Sequence, residues 1–347
     1  MSVRAESWIN RVWYEGSMWF LPLLPLSWLY ALVTSLRRYL YGSGIWRSRN
    51  AGVPVIVIGN ITTGGTGKTP LTVMLVQELG QRGFSPGIVS RGYRGNVGAS
   101  PIAVTAKSDP AIVGDEPVLL AKRCLCPVVV HPNRVAAAET LRDQGVDVII
   151  ADDGLQHYRL ARDVEIAVVD GKRLWGNQRL LPAGPLREPV SRLRSVNHIL
   201  VQGGGASVSI PGMNEAMSVT EFSLRLLEVC KLDGESSKSL EDFKGQRIHA
   251  VAAIGNPDRF FDALEEYGMD VIRHPFPDHA TLTDADLAFD EQCDVLMTEK
   301  DAVKCRGIAS EKIWYVPVEV MLGEAAKNTL MEQIEESIGR YVDSSHV

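Results

Sequence analysis

The chain has 347 residues, 45% of them hydrophobic and 22% charged, which is typical of a globular protein long enough for two domains. Its net charge of −6 argues against nucleic acid as the main partner, because phosphate backbones select basic surfaces. Five cysteines without a CxxC pair form neither a disulfide framework nor a zinc site, and they fit a reduced compartment.

The first fifty residues differ in character from the rest. They hold six arginines against two glutamates, and five of the seven tryptophans, a residue type that collects at bilayer interfaces. Met18–Leu36 carries no charge, but Pro22 and Pro25 would break a single helix near its middle. A removed signal peptide is not predicted, because a sequence typical of a cytosolic domain follows directly.

Ser27 is predicted to N-cap a helix that runs toward Leu40. The apolar residues of this helix form one stripe, while Ser35, Arg37 and Arg38 lie off it. Residues 1–50 are therefore interpreted as a membrane-associated helical segment lying in the interface. A core helix packed on the next domain and a full transmembrane span are the alternatives. The stripe consists of Leu29, Leu32, Val33, Leu36 and Leu40.

From residue 51 onward, short apolar runs alternate with helical patterns. This rhythm predicts an α/β fold, with a parallel sheet covered by helices over residues 51–205. Residues 206–245 are expected to connect it to a smaller α/β domain at 246–347. Gly171–Arg194 is rich in Pro, Gly and Arg and is predicted to be a site loop, because loops this long are usually functional. The predicted strands of the first domain are Val53–Ile58, Ile88–Ser90, Val128–His131, Val146–Ala151, Val164–Asp170 and Ile199–Gln202.

A glycine-rich loop follows the first of these strands and precedes a helix. It reads Thr62-Thr63-Gly64-Gly65-Thr66-Gly67-Lys68-Thr69. In a P-loop, glycines let backbone N–H groups converge on phosphate, and the helix N-terminus adds positive potential. Lys68 is predicted to reach the β- and γ-phosphates and Thr69 to bind Mg²⁺. The match is to the variant GGxGKT form, since Thr62 stands where the strict pattern has its first glycine.

Two acidic pairs fit a phosphotransfer site. Asp152 and Asp153 end an apolar strand, where such sheets hold a magnesium-organising acid; a turn closed by Asp and Gly is the alternative. Asp115 and Glu116 precede a proline at a predicted helix start. There they either cap the helix or supply a base for a hydroxyl nucleophile.

Eight ordered blocks resemble the tetraacyldisaccharide 4′-kinases, which phosphorylate the lipid A disaccharide precursor at the cytoplasmic face of the Gram-negative inner membrane. The resemblance spans nearly the whole chain and implies a P-loop-type lobe, a second smaller α/β lobe and a membrane-seeking N-terminal helix. One departure is Ala280, where members often carry an aromatic residue or a second histidine. The blocks are VIVIGNITTGGTGKTP (Val55–Pro70), SRGYRG (Ser90–Gly95), GDEP (Gly114–Pro117), ADDGLQH (Ala151–His157), LLPAGPLREP (Leu180–Pro189), AIGNPDRFF (Ala253–Phe261), FPDH (Phe276–His279) and TEKDAVK (Thr298–Lys304).

The resemblance also implies roles for individual residues. Asp115 would accept the proton of the sugar hydroxyl, with His279 positioning that carboxylate or sharing its proton. Lys68 would neutralise charge on the moving phosphoryl group of ATP, and Mg²⁺ would be held by Thr69 with Asp152 and Asp153. Substrate contacts are predicted from arginines in loops, with Glu188 assisting the metal or the sugar. These arginines are Arg91, Arg94, Arg134, Arg187 and Arg192.

The implied partners are an acylated disaccharide lipid and the inner-membrane surface, reached from its cytoplasmic face peripherally or through a single N-terminal anchor. No nucleic acid and no obligatory protein partner are predicted. A membrane-associated P-loop switch ATPase or GTPase is the alternative function. Such ATPases commonly have lysine where this chain has Thr63, and Thr298–Asp301 misplaces the lysine of the guanine motif. A kinase for a soluble sugar would leave the Trp/Arg-rich N-terminus without a purpose.

Overall fold

The computed structural model describes residues 3–93, 95–203, 219–232, 234, 236–289, 293–305, 307–308 and 311–345. The chain forms two compact units. A large unit comprises Trp8–Ser223 and Val320–Val347, and a small unit comprises Leu224–Glu319 with Met1–Ser7. The domain boundaries predicted from the sequence remain a prediction.

The large unit is built on a parallel sheet. Its strands are β1 (Val55–Gly59), β2 (Pro86–Ser90), β3 (Ile102–Val104), β4 (Val128–Val130), β5 (Val148–Asp152), β6 (Val164–Asp170), β7 (His198–Gln202) and β8 (Val219–Leu226). With β15 (Val318–Met321) at the edge, the order is β15-β8-β7-β6-β1-β5-β2-β4-β3. β1 pairs in parallel with β5 and β6, while β3 is antiparallel to β4. The α/β fold with a parallel sheet is therefore confirmed.

Helices cover this sheet because apolar side chains recur on one face of each. They are α3 (Lys68–Gln81), α4 (Pro110–Val113), α5 (Asp115–Cys124), α6 (Arg134–Asp143) and α9 (Glu324–Ser345). Leu71, Leu75 and Leu79 of α3 are fully buried, and so is Leu141 of α6. β1 and β5 are buried along their whole length, which is the pattern of a strand covered on both faces. The carboxyl ends of these central strands carry the site.

The small unit repeats the pattern on a smaller scale. Its strands are β9 (Val229–Lys231), β10 (Ser237–Lys238), β11 (Arg247–Ala252), β12 (Asp270–Pro275), β13 (Asp294–Thr298) and β14 (Ile313–Val316), in the order β10-β9-β14-β13-β11-β12. β11 pairs in parallel with β12 and β13. Its helices are α7 (Pro257–Glu266) and the single-turn α8 (Glu299–Ala302). Phe243 and Phe261 anchor its core.

The N-terminal segment consists of α1 (Val3–Tyr14), a 3₁₀ helix (Met18–Leu23) and α2 (Leu24–Gly42). The prediction that α2 starts at an N-cap Ser27 was wrong. The N-cap is Leu23 and the helix begins four residues earlier than predicted, because Pro25 fits the first turn, where its missing N–H has no intrahelical acceptor to serve. Met18–Gly42 is long and apolar enough to cross a bilayer, and only 6% of its most apolar window is buried.

Candidate active site

The glycine-rich loop connects β1 to α3 and has open space in front of two of its glycines. Gly64 and Gly67 adopt left-handed φ angles of 107° and 85°, which other residues rarely adopt. A Cβ added to Gly64 or Gly65 would meet no atom within 4 Å, so the space before the loop is open. Because α3 starts at Lys68, the unpaired N–H groups of its first turn lie at this loop. The geometry suits a phosphate group.

Two contacts fix the shape of the loop. The side-chain amide of Asn60 donates to the Gly64 carbonyl at 3.4 Å and to the Thr66 hydroxyl at 3.3 Å. On the other side, the Thr63 N–H donates to the Pro185 carbonyl at 2.8 Å. The predicted site loop Gly171–Arg194 is thus bound directly to the phosphate loop.

The two acids at the end of β5 face the loop, because β5 is the parallel neighbour of β1. Lys68 Nζ lies 3.7 Å from Asp153 Oδ1. The Thr72 hydroxyl of α3 donates to Asp152 Oδ1 at 3.5 Å. Asp153 has a left-handed φ of 46°, which turns the chain away from the strand and leaves both carboxylates at its tip.

The pKa values of these neighbouring carboxylates are shifted in opposite directions. Burial, together with the Glu116 and Asp153 carboxylates, raises the pKa of Asp152 to about 7. Burial alone would raise the pKa of Asp153 as well, but the Lys68 ammonium and the Arg187 guanidinium hold it well below its usual range. Asp153 therefore stays ionised, while Asp152 titrates near neutral pH.

Arg187 and Arg134 brace this acidic pair. Arg187 forms a bidentate ion pair with Asp153, at 2.7 and 2.9 Å, and donates to the Asn60 carbonyl at 3.1 Å. Arg134 is buried, and its Nη2 donates to the carbonyls of Asp152 and Asp153 at 3.1 and 2.9 Å. The prediction that Arg134 and Arg192 lie in loops was wrong. Arg134 is the first residue of α6, and Arg192 lies in the 3₁₀ helix Val190–Ser195.

Glu188 is buried in a polar network that the sequence reasoning missed. The Tyr158 hydroxyl donates to Glu188 Oε1, and Gln156 Nε2 donates to Glu188 Oε2 at 2.8 Å. Arg192 Nε donates to the same tyrosine oxygen at 3.2 Å. Burial and the Glu188 carboxylate raise the pKa of Tyr158 to about 12, so it stays protonated. Gln156 lies inside the block ADDGLQH, which was the available signal for its position near the site.

The N-terminal helix α2 contacts the site loop through polar side chains. The buried Ser27 hydroxyl donates to the Leu180 carbonyl at 2.8 Å, and the Tyr30 hydroxyl donates to the Arg187 carbonyl at 3.1 Å. Trp13 of α1 donates its indole N–H to the Pro182 carbonyl at 3.1 Å. One side of the segment is therefore packed on the large unit, while Leu29, Leu32, Val33 and Leu36 of its apolar stripe stay exposed.

The predicted base, Asp115, starts α5 beside the SRGYRG segment. It is buried, and its Oδ1 accepts the Glu116 N–H at 2.9 Å. Gly114 before it has a φ of 91°, and a Cβ there would come within 3.0 Å of the Tyr93 carbonyl. Arg91 is exposed, and Arg94 lies outside the described residues.

His279 belongs to the small unit. It follows β12 in a turn and has a left-handed φ of 62°. Its Nε2 lies 3.6 Å from Asp278 Oδ1. The sequence-based pairing of His279 with Asp115 remains a prediction, as do the substrate and metal roles assigned above.

Comparison with known proteins places this arrangement in context. The sequence of residues 19–338 matches the tetraacyldisaccharide-1-P 4′-kinase (LpxK) family. A tetraacyldisaccharide 4′-kinase of Hahella chejuensis is 46% identical over 325 residues, covering 92% of this chain and 94% of that protein. A tetraacyldisaccharide 4′-kinase of Xanthomonas campestris pv. campestris is 44% identical over 340 residues, covering 96% and 97%.

A solved structure is also similar. The crystal structure of LpxK from Aquifex aeolicus in complex with ATP aligns with a TM-score of 0.78 at 28% sequence identity. The alignment covers 92% of this chain and 100% of that chain. Both halves of the fold, the P-loop sheet and the second α/β unit, thus have a counterpart in a nucleotide-bound protein.

Proposed function

The chain belongs to the tetraacyldisaccharide-1-P 4′-kinase family, and we propose that it transfers the γ-phosphate of ATP to the 4′-hydroxyl of a tetraacyldisaccharide 1-phosphate in lipid A biosynthesis. The observation that carries this is the open GGTGKT loop, with Lys68 beside the ionised Asp153 at the end of the neighbouring strand. Phosphoryl transfer asks a protein mainly to align donor and acceptor and to neutralise charge. This corner of the sheet would bind the phosphates of the donor and neutralise their charge. The switch-ATPase alternative loses its basis, because the family match spans the large and the small unit.

The residues near the loop fit Mg²⁺. In the part of the chain that the structure describes, no group of three or more His, Cys, Asp or Glu side chains could hold a metal alone. That suits Mg²⁺ at a phosphate site, which is usually bound by one or two carboxylates together with substrate phosphates. Thr69 and the Asp152–Asp153 pair offer hard oxygen ligands. A cation would favour the ionised form of Asp152, whose pKa is raised by burial and by the Glu116 and Asp153 carboxylates. When bound, the ion would neutralise charge on the β- and γ-phosphates.

On the acceptor side, Asp115 is the proposed base for the sugar hydroxyl. Its burial at the start of α5 supports this assignment, because a buried carboxylate is held in a fixed direction. His279 is proposed to position this base or share its proton. Arg91, Arg94, Arg134 and Arg187 are the proposed substrate contacts. Among these, Arg134 and Arg187 also hold the acidic pair, so replacing them would disturb the metal ligands too.

The enzyme is proposed to act at the cytoplasmic face of the inner membrane. The exposed residues of Met18–Gly42 support this, since leucines and tryptophans of that segment lie open to solvent in the described structure. Acyl chains of the substrate reside in the same bilayer. An interfacial helix that packs on the site loop would bring the loop to the membrane surface where the sugar hydroxyl lies.

The direct test incubates the purified full-length chain with γ-labelled ATP, Mg²⁺ and the tetraacyldisaccharide 1-phosphate in mixed micelles. We expect label in the lipid, on the 4′-oxygen. The deacylated disaccharide phosphate serves as the matched control for a soluble-sugar kinase. ATP hydrolysis without labelled lipid, or equal transfer to the soluble sugar, would overturn the proposal.

A further inference from the structure

The block Thr298–Lys304, which the transfer reaction above does not use, contacts the turn that carries His279. Thr298 ends β13 and caps α8, with its hydroxyl accepting the Asp301 N–H at 3.2 Å. The two charged residues of this single-turn helix that matter here are Lys300 and Asp301. Both lie within the small unit, as His279 does.

Asp301 is a fixed acceptor in the core of that unit. It is completely buried, and its Oδ2 accepts the Thr298 hydroxyl at 2.6 Å and the Ala253 N–H at 2.9 Å. Lys304 Nζ lies 2.6 Å from the other carboxylate oxygen. A buried carboxylate with this many partners has one position, because any other would leave a buried charge unpaired.

The backbone of Ala253 links Asp301 to His279. Its N–H is bound to Asp301, and its carbonyl accepts the His279 N–H at 3.1 Å. The neighbouring Ala252 carbonyl accepts the Phe276 N–H at 2.9 Å, so the turn is held at both ends. The left-handed φ of 62° at His279 needs such support, because non-glycine residues in that region are strained and persist only where their surroundings fix them.

A second contact comes from Lys300, the residue that precedes Asp301 in α8. Lys300 Nζ lies 3.8 Å from Asp278 Oδ1, the same oxygen that lies 3.6 Å from His279 Nε2. Thus α8 reaches the histidine by two routes. Asp301 acts on its backbone through Ala253, and Lys300 acts on its imidazole through Asp278.

We propose that Asp301 and Lys300 are positioning residues that fix the backbone and the imidazole of His279 for the transfer step. The inference rests on the proposed role of His279 in that step. It gives the TEKDAVK block a role in the reaction, because Asp301 and Lys300 act through the histidine rather than on the nucleotide.

The test measures kcat and the KM for ATP of the full-length enzyme with Asp301→Asn and Lys300→Met, each alone and combined with His279→Ala. Each single change should lower kcat by about 10- to 100-fold, since small misplacements of a reacting group cost that much, and leave the KM for ATP unchanged. In the His279→Ala background neither should cause a further loss, because residues that act as one unit are non-additive. Lys300→Arg, which keeps the cation, should retain most of the rate.

Lys244→Met is the matched control. Lys244 pairs with Glu241 at 3.7 Å in the same unit, nearly the distance of the Lys300 pair, but it precedes β11 and lies outside the turn. It should leave kcat unchanged. Melting temperatures show whether Asp301→Asn has folded. If it has not, the kcat of Lys300→Met, alone and combined with His279→Ala, tests the proposal.

Two results would overturn the positioning role. One is a loss that multiplies with that of His279→Ala, which signals a general structural effect. The other is a near-normal rate in the folded single variants. If His279→Ala itself keeps the wild-type rate, the proposed role of His279 fails first and this inference falls with it.

Discussion

Two cations, Lys68 and Arg187, lie beside the Asp153 carboxylate at the phosphate loop. Asp153 accepts from Arg187 and lies beside Lys68, so removal of either cation leaves the other to hold the carboxylate. The ion pair holds Lys68 beside the end of β5, where its side chain is 15% exposed. The presence of Arg187 also means that the lysine can be replaced without leaving a buried charge unpaired.

For this reason we expect Lys68→Ala to fold normally and to lose at least about 100-fold in kcat, since a preorganised donor to transition-state charge is worth that much. The measurement is the labelled-lipid assay beside a thermal melt. Lys107→Ala, which removes an exposed lysine of the same unit, is the control. Activity within a few-fold of wild type would contradict the P-loop assignment.

The raised pKa of Asp152 predicts how the free energy of unfolding depends on pH. Its pKa is raised to about 7 by burial and by the Glu116 and Asp153 carboxylates, so the folded state binds a proton more tightly than the unfolded chain. The stability linked to this proton is present below pH 4 and is lost as the pH rises through 7, at no more than about 1.4 kcal/mol per pH unit.

Asp152→Asn abolishes this dependence. With Mg²⁺ chelated, the variant should equal the wild type in free energy of unfolding near pH 4 and exceed it at pH 8, while its kinase activity is lost. Denaturant melts at several pH values give the comparison. A difference between the two proteins that stays constant with pH would show that Asp152 is ionised throughout.

Sequence patterns predicted those helices, strands and loops whose signals are contiguous in the chain. The β1–loop–α3 unit was predicted because its strand, glycines and helix signals are all contiguous in sequence. Ser27 was misassigned because its hydroxyl serves the Leu180 carbonyl, a partner 153 residues away. Tyr158 was missed for the same reason, since its link to Glu188 exists only in the folded sheet. Tertiary partners of this kind leave no periodicity to detect.

The apolar face of α2 carries a prediction for membrane binding. Leu32 is 66% exposed, and burying a leucine in a bilayer interface is worth about 2 kcal/mol. Leu32→Glu should therefore weaken partitioning to phosphatidylethanolamine–phosphatidylglycerol vesicles by roughly tenfold or more. Point changes are preferable to deleting the helix, because Ser27 and Tyr30 also support the site loop.

Ser35→Glu provides the charge-matched control on the same helix. Ser35 is exposed but lies off the leucine stripe, so its replacement should leave vesicle binding nearly unchanged. Sedimentation with vesicles measures both. Equal loss in the two variants would indicate charge repulsion by anionic lipid rather than insertion of the apolar face.

The residues proposed for the reaction come from both units of the chain. The large unit supplies the phosphate loop, the acidic pair and Asp115, whereas the small unit supplies His279 and the residues that support it. A reaction that needs both should therefore be sensitive to changes in a unit that has no part in the phosphate loop. This separates the proposed kinase from a nucleotide-binding protein whose activity resides in the large unit alone.

The sharpest form of this expectation concerns Asp115 and His279. If one is the base and the other positions it, Asp115→Ala and His279→Ala should each lower kcat strongly, leave the KM for ATP unchanged, and give a double variant no slower than the worse single. Asp109→Ala is the matched control, because Asp109 caps α4 through the Ala111 N–H at 2.9 Å and has no proposed role in transfer. If Asp115 merely serves the start of α5, its loss should resemble that control, at about 1 kcal/mol of stability with activity kept. Losses that multiply in the double variant would mean that the two side chains act on separate steps.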